Sequence, residues 1–191
     1  MKQIKFYYEW LSLSKEHFRL LTMLTKNSGE FVGTYSDICK FLLISSQSKN
    51  TSKIRETVDF LTSEGYISYS KKGRNHHLKI KTKETEIEIP LNLVNTLVDH
   101  DYSSKPVAWE QILKVYLWIW HNNSQITTND MLAADLDISS STVSNAISVL
   151  EKEYEAIHTE KVTKRVSEDI YKCFGRKIDI CAWWKDISKK K

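Results

Sequence analysis

The chain has 191 residues, enough for one large domain or two of roughly 90–100 residues each. Hydrophobic residues make up 41% and charged residues 27%, with only five Gly and two Pro, which excludes collagen-like repeats, long flexible linkers and turn-dense all-β folds. The net charge of +4 is uneven: residues 1–100 carry 15 Lys and Arg against 11 Asp and Glu, residues 101–191 carry 13 of each, and this mild basic excess fits a polyanionic partner.

The N-terminal ten residues hold no apolar run of leader length. The most apolar helix candidate, around residues 112–120, covers about nine residues and is too short for a bilayer, so no membrane partner is expected. Cys39, Cys173 and Cys181 form neither a disulfide framework nor a paired zinc motif, and a reducing, cytoplasmic setting follows as an expectation. No cofactor or metal site is expected.

In chain order, Ser14 is placed to cap a helix whose apolar positions are Phe18, Leu20, Leu21, Met23 and Leu24. Thr34, three residues before Asp37, gives a capping-box start for a short second helix. An Ile44-Ser45-Ser46 turn follows. A third helix then carries Ile54, Val58 and Leu61, spaced by four and three on one face. Gly65 stops it. Residues 66–70 and 76–81 read as two strands around the basic turn 71–75, a β-hairpin. Residues 90–98 read as an extra helix packed on this first domain, and the polar segment 99–106 as its boundary.

The second half repeats the order. A helix over residues 108–121 carries Ile112, Leu113, Tyr116, Leu117, Ile119 and Trp120. Thr127 precedes Asp130 by three, the start of a short helix with Leu132, Ala133, Ala134 and Leu136. After Asp137-Ile138-Ser139 comes a helix with Val143, Ile147 and Leu150 on one face. Residues 157–166 and 176–182 read as strands around Phe174-Gly175-Arg176, a second hairpin, with helix as the alternative for the intervening SEDIYKC.

The two halves are therefore a near-repeat, with Asp37–Leu61 matching Asp130–Leu150 and about five additional residues in the first copy. The segment LAADLDISSSTVSNAISVLEKE resembles the helix-turn-helix of winged-helix DNA-binding proteins, bacterial regulators and plasmid or phage replication initiators among them. The resemblance implies a fold that is mainly α with small β-hairpins (α+β), as two tandem winged-helix domains over residues 1–100 and 101–191. It also implies a recognition helix in the major groove and a wing on the backbone or minor groove.

On that reading double-stranded DNA is the partner. In the first copy the contacts are expected from Ser48, Lys49, Asn50, Thr51, Lys53 and Arg55, and from Lys71, Lys72, Arg74, Asn75 and His76 on the wing. Six of the thirteen residues from 71 to 83 are Lys or Arg. In the second copy Ser139, Ser140, Ser141, Thr142, Ser144 and Asn145 are expected to face DNA, with Asn145 suited to adenine. That helix has no Lys or Arg before Lys152, so phosphate contact there falls to Lys161, Lys164, Arg165, Arg176 and Lys177.

No phosphate-binding glycine loop, nucleophile elbow or zinc-protease motif is present, and no enzyme is expected. His76 and His77 are neighbours on a strand and point to opposite faces, which argues against a metal. Three uses stay open: a sequence-specific transcriptional regulator, a replication initiator, and a winged-helix adaptor that binds protein. Homodimerisation is a further candidate. Trp183 and Trp184, or the second domain itself, offer a surface for a protein partner.

Overall fold

A computed structural model describes residues 2–99, 106–123, 125–167 and 170–181. The elements in order are β1 (Gln3–Tyr7), α1 (Lys15–Lys26), β2 (Glu30–Gly33), α2 (Tyr35–Phe41), α3 (Ser48–Ser63), β3 (Ile67–Lys72), β4 (Asn75–Ile80) and β5 (Glu86–Pro90). Then come α4 (Leu91–Val98), α5 (Trp109–His121), β6 (Ile126–Thr127), α6 (Asn129–Leu136), α7 (Ser140–Lys152), β7 (Ile157–Ser167) and β8 (Ile170–Ile180). No helix among the described residues is long and apolar enough to cross a membrane.

The chain forms two units, Gln3–Ile89 and Pro90–Lys191, the latter joined by the first two residues. The division falls at Ile89/Pro90 and not at residue 100/101. The extra helix is the reason. Leu93, Val94 and Leu97 on α4 are fully buried, and α4 packs against α5 of the second unit.

The expected fold class also needs correcting. Among the described residues the protein is a mixed α/β structure, with seven α-helices and three small sheets. The additional strand has two sources. The second hairpin is made of two strands of 11 residues each, so SEDIYKC is hairpin and not helix outside the undescribed residues 168–169. The strands β1, β2, β5 and β6 are short and escaped the sequence pattern.

In the first unit the core is built by Phe18, Leu20, Leu21 and Leu24 from α1, Ile38 from α2, Val58 and Leu61 from α3, Ile67 from β3 and Leu78 from β4. Each such side chain contributes roughly 1.5–3 kcal/mol by leaving water. The helices begin where local chemistry says. The Ser14 side chain accepts from His17 N, and Thr34 and Asp37 close a reciprocal capping box. The sheet order is β2-β4-β3, all antiparallel. Only Gly73 and Arg74 separate the paired residues Lys72 and Asn75, and Gly73 takes φ +62°. Glycine at the first of two loop positions is what a type II′ hairpin needs.

The second unit repeats this order. α5 is followed by β6, α6, α7, β7 and β8, and the sheet order is β6-β8-β7. Ile112, Leu113, Leu117, Leu132, Leu136, Val143, Ile147, Leu150 and Ile178 are buried. Thr128, and not Thr127, caps α6 by accepting from Met131 N; Thr127 is buried on β6. Gly175 is a strand residue and not a turn: it pairs with Val162, and a Cβ there would lie 2.7 Å from the Thr127 carbonyl oxygen.

The likeness of the halves extends to single backbone hydrogen bonds. α2 ends with Leu43 N donating to Lys40 O and Ile44 N to Cys39 O. α6 ends with Asp137 N donating to Ala134 O and Ile138 N to Ala133 O. Both are the Schellman stop, with Leu43 (φ +56°) and Asp137 (φ +50°) in the left-handed position. The additional residues of the first copy divide in two. Ser45, Ser46 and Gln47 stand between Ile44 and α3, where Ser139 alone stands between Ile138 and α7, and α3 then runs nearly one turn longer before its first core residue, Ile54.

Candidate nucleic-acid interface

In the first unit the extra turn of α3 carries Ser48, Lys49, Asn50 and Thr51. Ser48, Lys49, Lys53 and Arg55 are exposed. Asn50 and Thr51 are engaged elsewhere. Asn50 Nδ2 donates to the Ser45 carbonyl and hydroxyl, both at 2.9 Å, and Thr51 Oγ1 donates to Ser48 O at 2.8 Å. These two side chains brace the long turn, which has no side-chain cap from Gln47.

Lys71, Lys72, Arg74 and Asn75 are exposed at the end of the β3–β4 hairpin. His76 is not. It is only 6% exposed, which corrects its placement among surface contacts. The strand alternation puts it on the inner face with Leu78, leaving His77 outside. Its Nδ1 lies 2.8 Å from the Tyr69 hydroxyl, and its ring packs on Tyr35 at 4.0 Å between centroids. The Arg55 guanidinium in turn sits over the Tyr35 ring at 5.4 Å.

A continuous set of contacts thus runs from α3 through α2 to the hairpin: Arg55, Tyr35, His76, Tyr69. Lys71 pairs directly across from His76. Burial first, and then the charges of Lys71 and Arg55, hold the His76 pKa below its ordinary value. One cation from the helix and one from the hairpin therefore converge on the same neutral imidazole. Tyr35 and Tyr69, the pieces that fix this arrangement, were not among the residues read from the sequence.

The second unit is different. The Ser139 side chain accepts from Thr142 N and lies 2.9 Å from the Ser141 hydroxyl and 2.8 Å from the Thr142 hydroxyl. Ser140 donates to Asp130. Four of the six expected polar contacts are thereby engaged within the protein, and Ser144 and Asn145 are left on the outer side of α7. Asp130 is the carboxylate that meets α7, while Asp135 accepts from Trp118 Nε1 of α5 at 2.9 Å. Lys114 is buried on α5, its pKa pushed down to about 8 by burial, against the opposing pull of Asp137 and Glu110.

The basic residues expected to contact phosphate in this unit lie on its hairpin. Lys161 is exposed and pairs with Arg176, and Lys177 forms an ion pair with Asp179 at 3.1 Å. Lys164 and Arg165 lie on β7 with side chains outside the described residues, and Trp183 and Trp184 also fall outside them. Among the described residues no group of three or more His, Cys, Asp or Glu is placed to hold a metal ion.

Compared with known protein families, with curated proteins and with solved structures, the chain matches none.

Proposed function

We propose that this chain is a sequence-specific double-stranded DNA-binding protein of the winged-helix kind, with the first unit as its principal DNA-holding element. The observation that carries the reading is the convergence of Arg55 from α3 and Lys71 from β3 on His76. Arg55 over the Tyr35 ring and Lys71 across from His76 put a cation from the helix and one from the hairpin beside the same aromatic cluster, an arrangement that suits a polyanion. Lys49 and Lys53 on the same helix, and Lys72 and Arg74 on the same hairpin, extend the positive surface.

Each of these six residues is a candidate phosphate contact, while base reading falls to the exposed polar positions of α3. The repeated order of elements supports the same reading for the class of fold. Regulation of transcription is the use we assign.

The test is binding of the full chain to random and genomic duplexes over a salt series. Tight binding with log K falling steeply with log salt, and enrichment of one sequence, is the expected result. Lys71→Glu/Lys72→Glu/Arg74→Glu should weaken it at least tenfold at physiological salt. Wild-type protein that binds no duplex even at low salt overturns the proposal. An enriched site overlapping a promoter fits a regulator; tandem direct repeats beside an AT-rich segment fit an initiator.

A further inference from the structure

The β7–β8 hairpin is nearly twice as long as its counterpart: 11 residues per strand against six in β3 and β4. At about 3.3 Å per residue it spans roughly 33 Å. β6 pairs with it only through Ile126 and Thr127, against Lys177 and Arg176. Beyond Arg176 the described sheet is two strands wide.

The two faces of this ribbon differ in charge. On one face His158 stands opposite Asp179, and Glu160 opposite Lys177, so unlike partners meet. On the other face Ile157 stands opposite Ile180 and Thr159 opposite Ile178, and the next row outward sets Lys161 opposite Arg176. Like charges directly across an antiparallel pair are destabilising. Lys161 and Arg176 are such a pair, on a strand pair whose other face is complementary, and they mark a place built for an anion.

We propose that the second unit engages B-form DNA by laying this ribbon in the major groove, with Lys161 and Arg176 on its contacting row, and not by presenting α7. The inference rests on the DNA-binding reading above. The major groove, about 12 Å wide, admits a two-stranded ribbon, whereas the deep, narrow major groove of an RNA duplex does not. α6 and α7 carry Asp130 and Asp135, with Asp137 between them, and no Lys or Arg before Lys152, so their surface repels phosphate.

The experiment compares three full-length proteins on one selected duplex: wild type, Lys161→Glu, and Ser144→Ala/Asn145→Ala. Lys161→Glu replaces a like-charge pair by an attractive one opposite Arg176, so its melting temperature should not fall. Its DNA affinity should drop about tenfold or more near physiological salt, with a shallower salt slope, and guanine N7 protection should be lost over part of the footprint. The α7 variant should bind within about twofold of wild type. Unchanged affinity and footprint for Lys161→Glu, or loss confined to the α7 variant, overturns the ribbon assignment while leaving DNA binding intact. Wild type that binds no duplex overturns both readings together.

Discussion

The hydroxyl of Tyr69 lies 2.8 Å from Nδ1 of His76, joining β3 to β4 on the inner face of the hairpin. Because the same imidazole packs on Tyr35, the hairpin and α2 are held by one side chain. The ring is kept neutral chiefly by burial, with Lys71 and Arg55 adding to the effect.

Acid should therefore loosen the first unit. With a folded pKa below the ordinary 6.5, the unfolded chain takes up a proton first as pH falls. The contribution is complete above about 6.5 and is lost as pH drops through the folded value. Thermal unfolding of wild type and His76→Phe between pH 8 and pH 5 checks this. The variant should lose less of its melting temperature on acidification, and equal losses would exclude His76 as the group responsible.

Leu43 occupies a left-handed position, φ +56°, with its side chain 81% exposed. That conformation costs a leucine roughly 1–2 kcal/mol, and glycine's extra freedom in the unfolded chain takes back about 0.5–1 kcal/mol. Leu43→Gly should stabilise the first unit by roughly 0.5–1 kcal/mol. Asp137→Gly should gain much less, since aspartate tolerates the left-handed region. Urea titrations of both variants measure the contrast, and a destabilised Leu43→Gly would mean that the leucine side chain makes a favourable contact.

Lys114 sets an alkaline dependence in the second unit. Its folded pKa of about 8 lies below the ordinary 10.5, so between those values the unfolded chain holds the proton and the folded chain does not. Stability should rise as pH goes from about 8 to 10.5, relieving a cost on the order of 3 kcal/mol. In Lys114→Met this rise should vanish. A rise of the same size in the variant would point to another group.

Gly175→Ala should damage the second unit. The new methyl would stand 2.7 Å from the backbone oxygen of Thr127, which cannot swing aside as a side-chain tip can. A loss of roughly 1–3 kcal/mol in chemical denaturation is expected, with β6 displaced from β8. No loss would show that β6 accommodates the change freely.

What the sequence made legible was local. Ser14, Thr34 and Ser139 cap their helices because the cap and the amide it serves are three residues apart in the chain. Where two neighbours were equally suited, as at Thr127 and Thr128, spacing alone did not choose; burial of Thr127 on β6 did.

Non-local pairing was the hidden part. β2 and β6 have four and two residues, too few for an alternation signal, and exist through their bonds to β4 and β8. β1 and β5 meet across some eighty residues of chain, as the Lys5–Glu86 ion pair illustrates. Gly175 imitated a turn because the close approach of β6, not a change of direction, requires glycine there. For the candidate interface the charges of α3 and the hairpin were visible, and so was a clue to His76: it shares strand parity with Leu78. The aromatic support from Tyr35 and Tyr69 was not visible, because it joins three elements.

In both sheets the middle strand is the last of the three to be synthesised: β4 sits between β2 and β3, and β8 between β6 and β7. A growing chain on the ribosome can therefore form its helices early but must hold both outer strands unpaired until the final one emerges. Each unit closes its sheet in a single late step. Translation halted just before residue 170 would leave β6 and β7 exposed together, a nascent chain with two open strand edges and a strong claim on a chaperone.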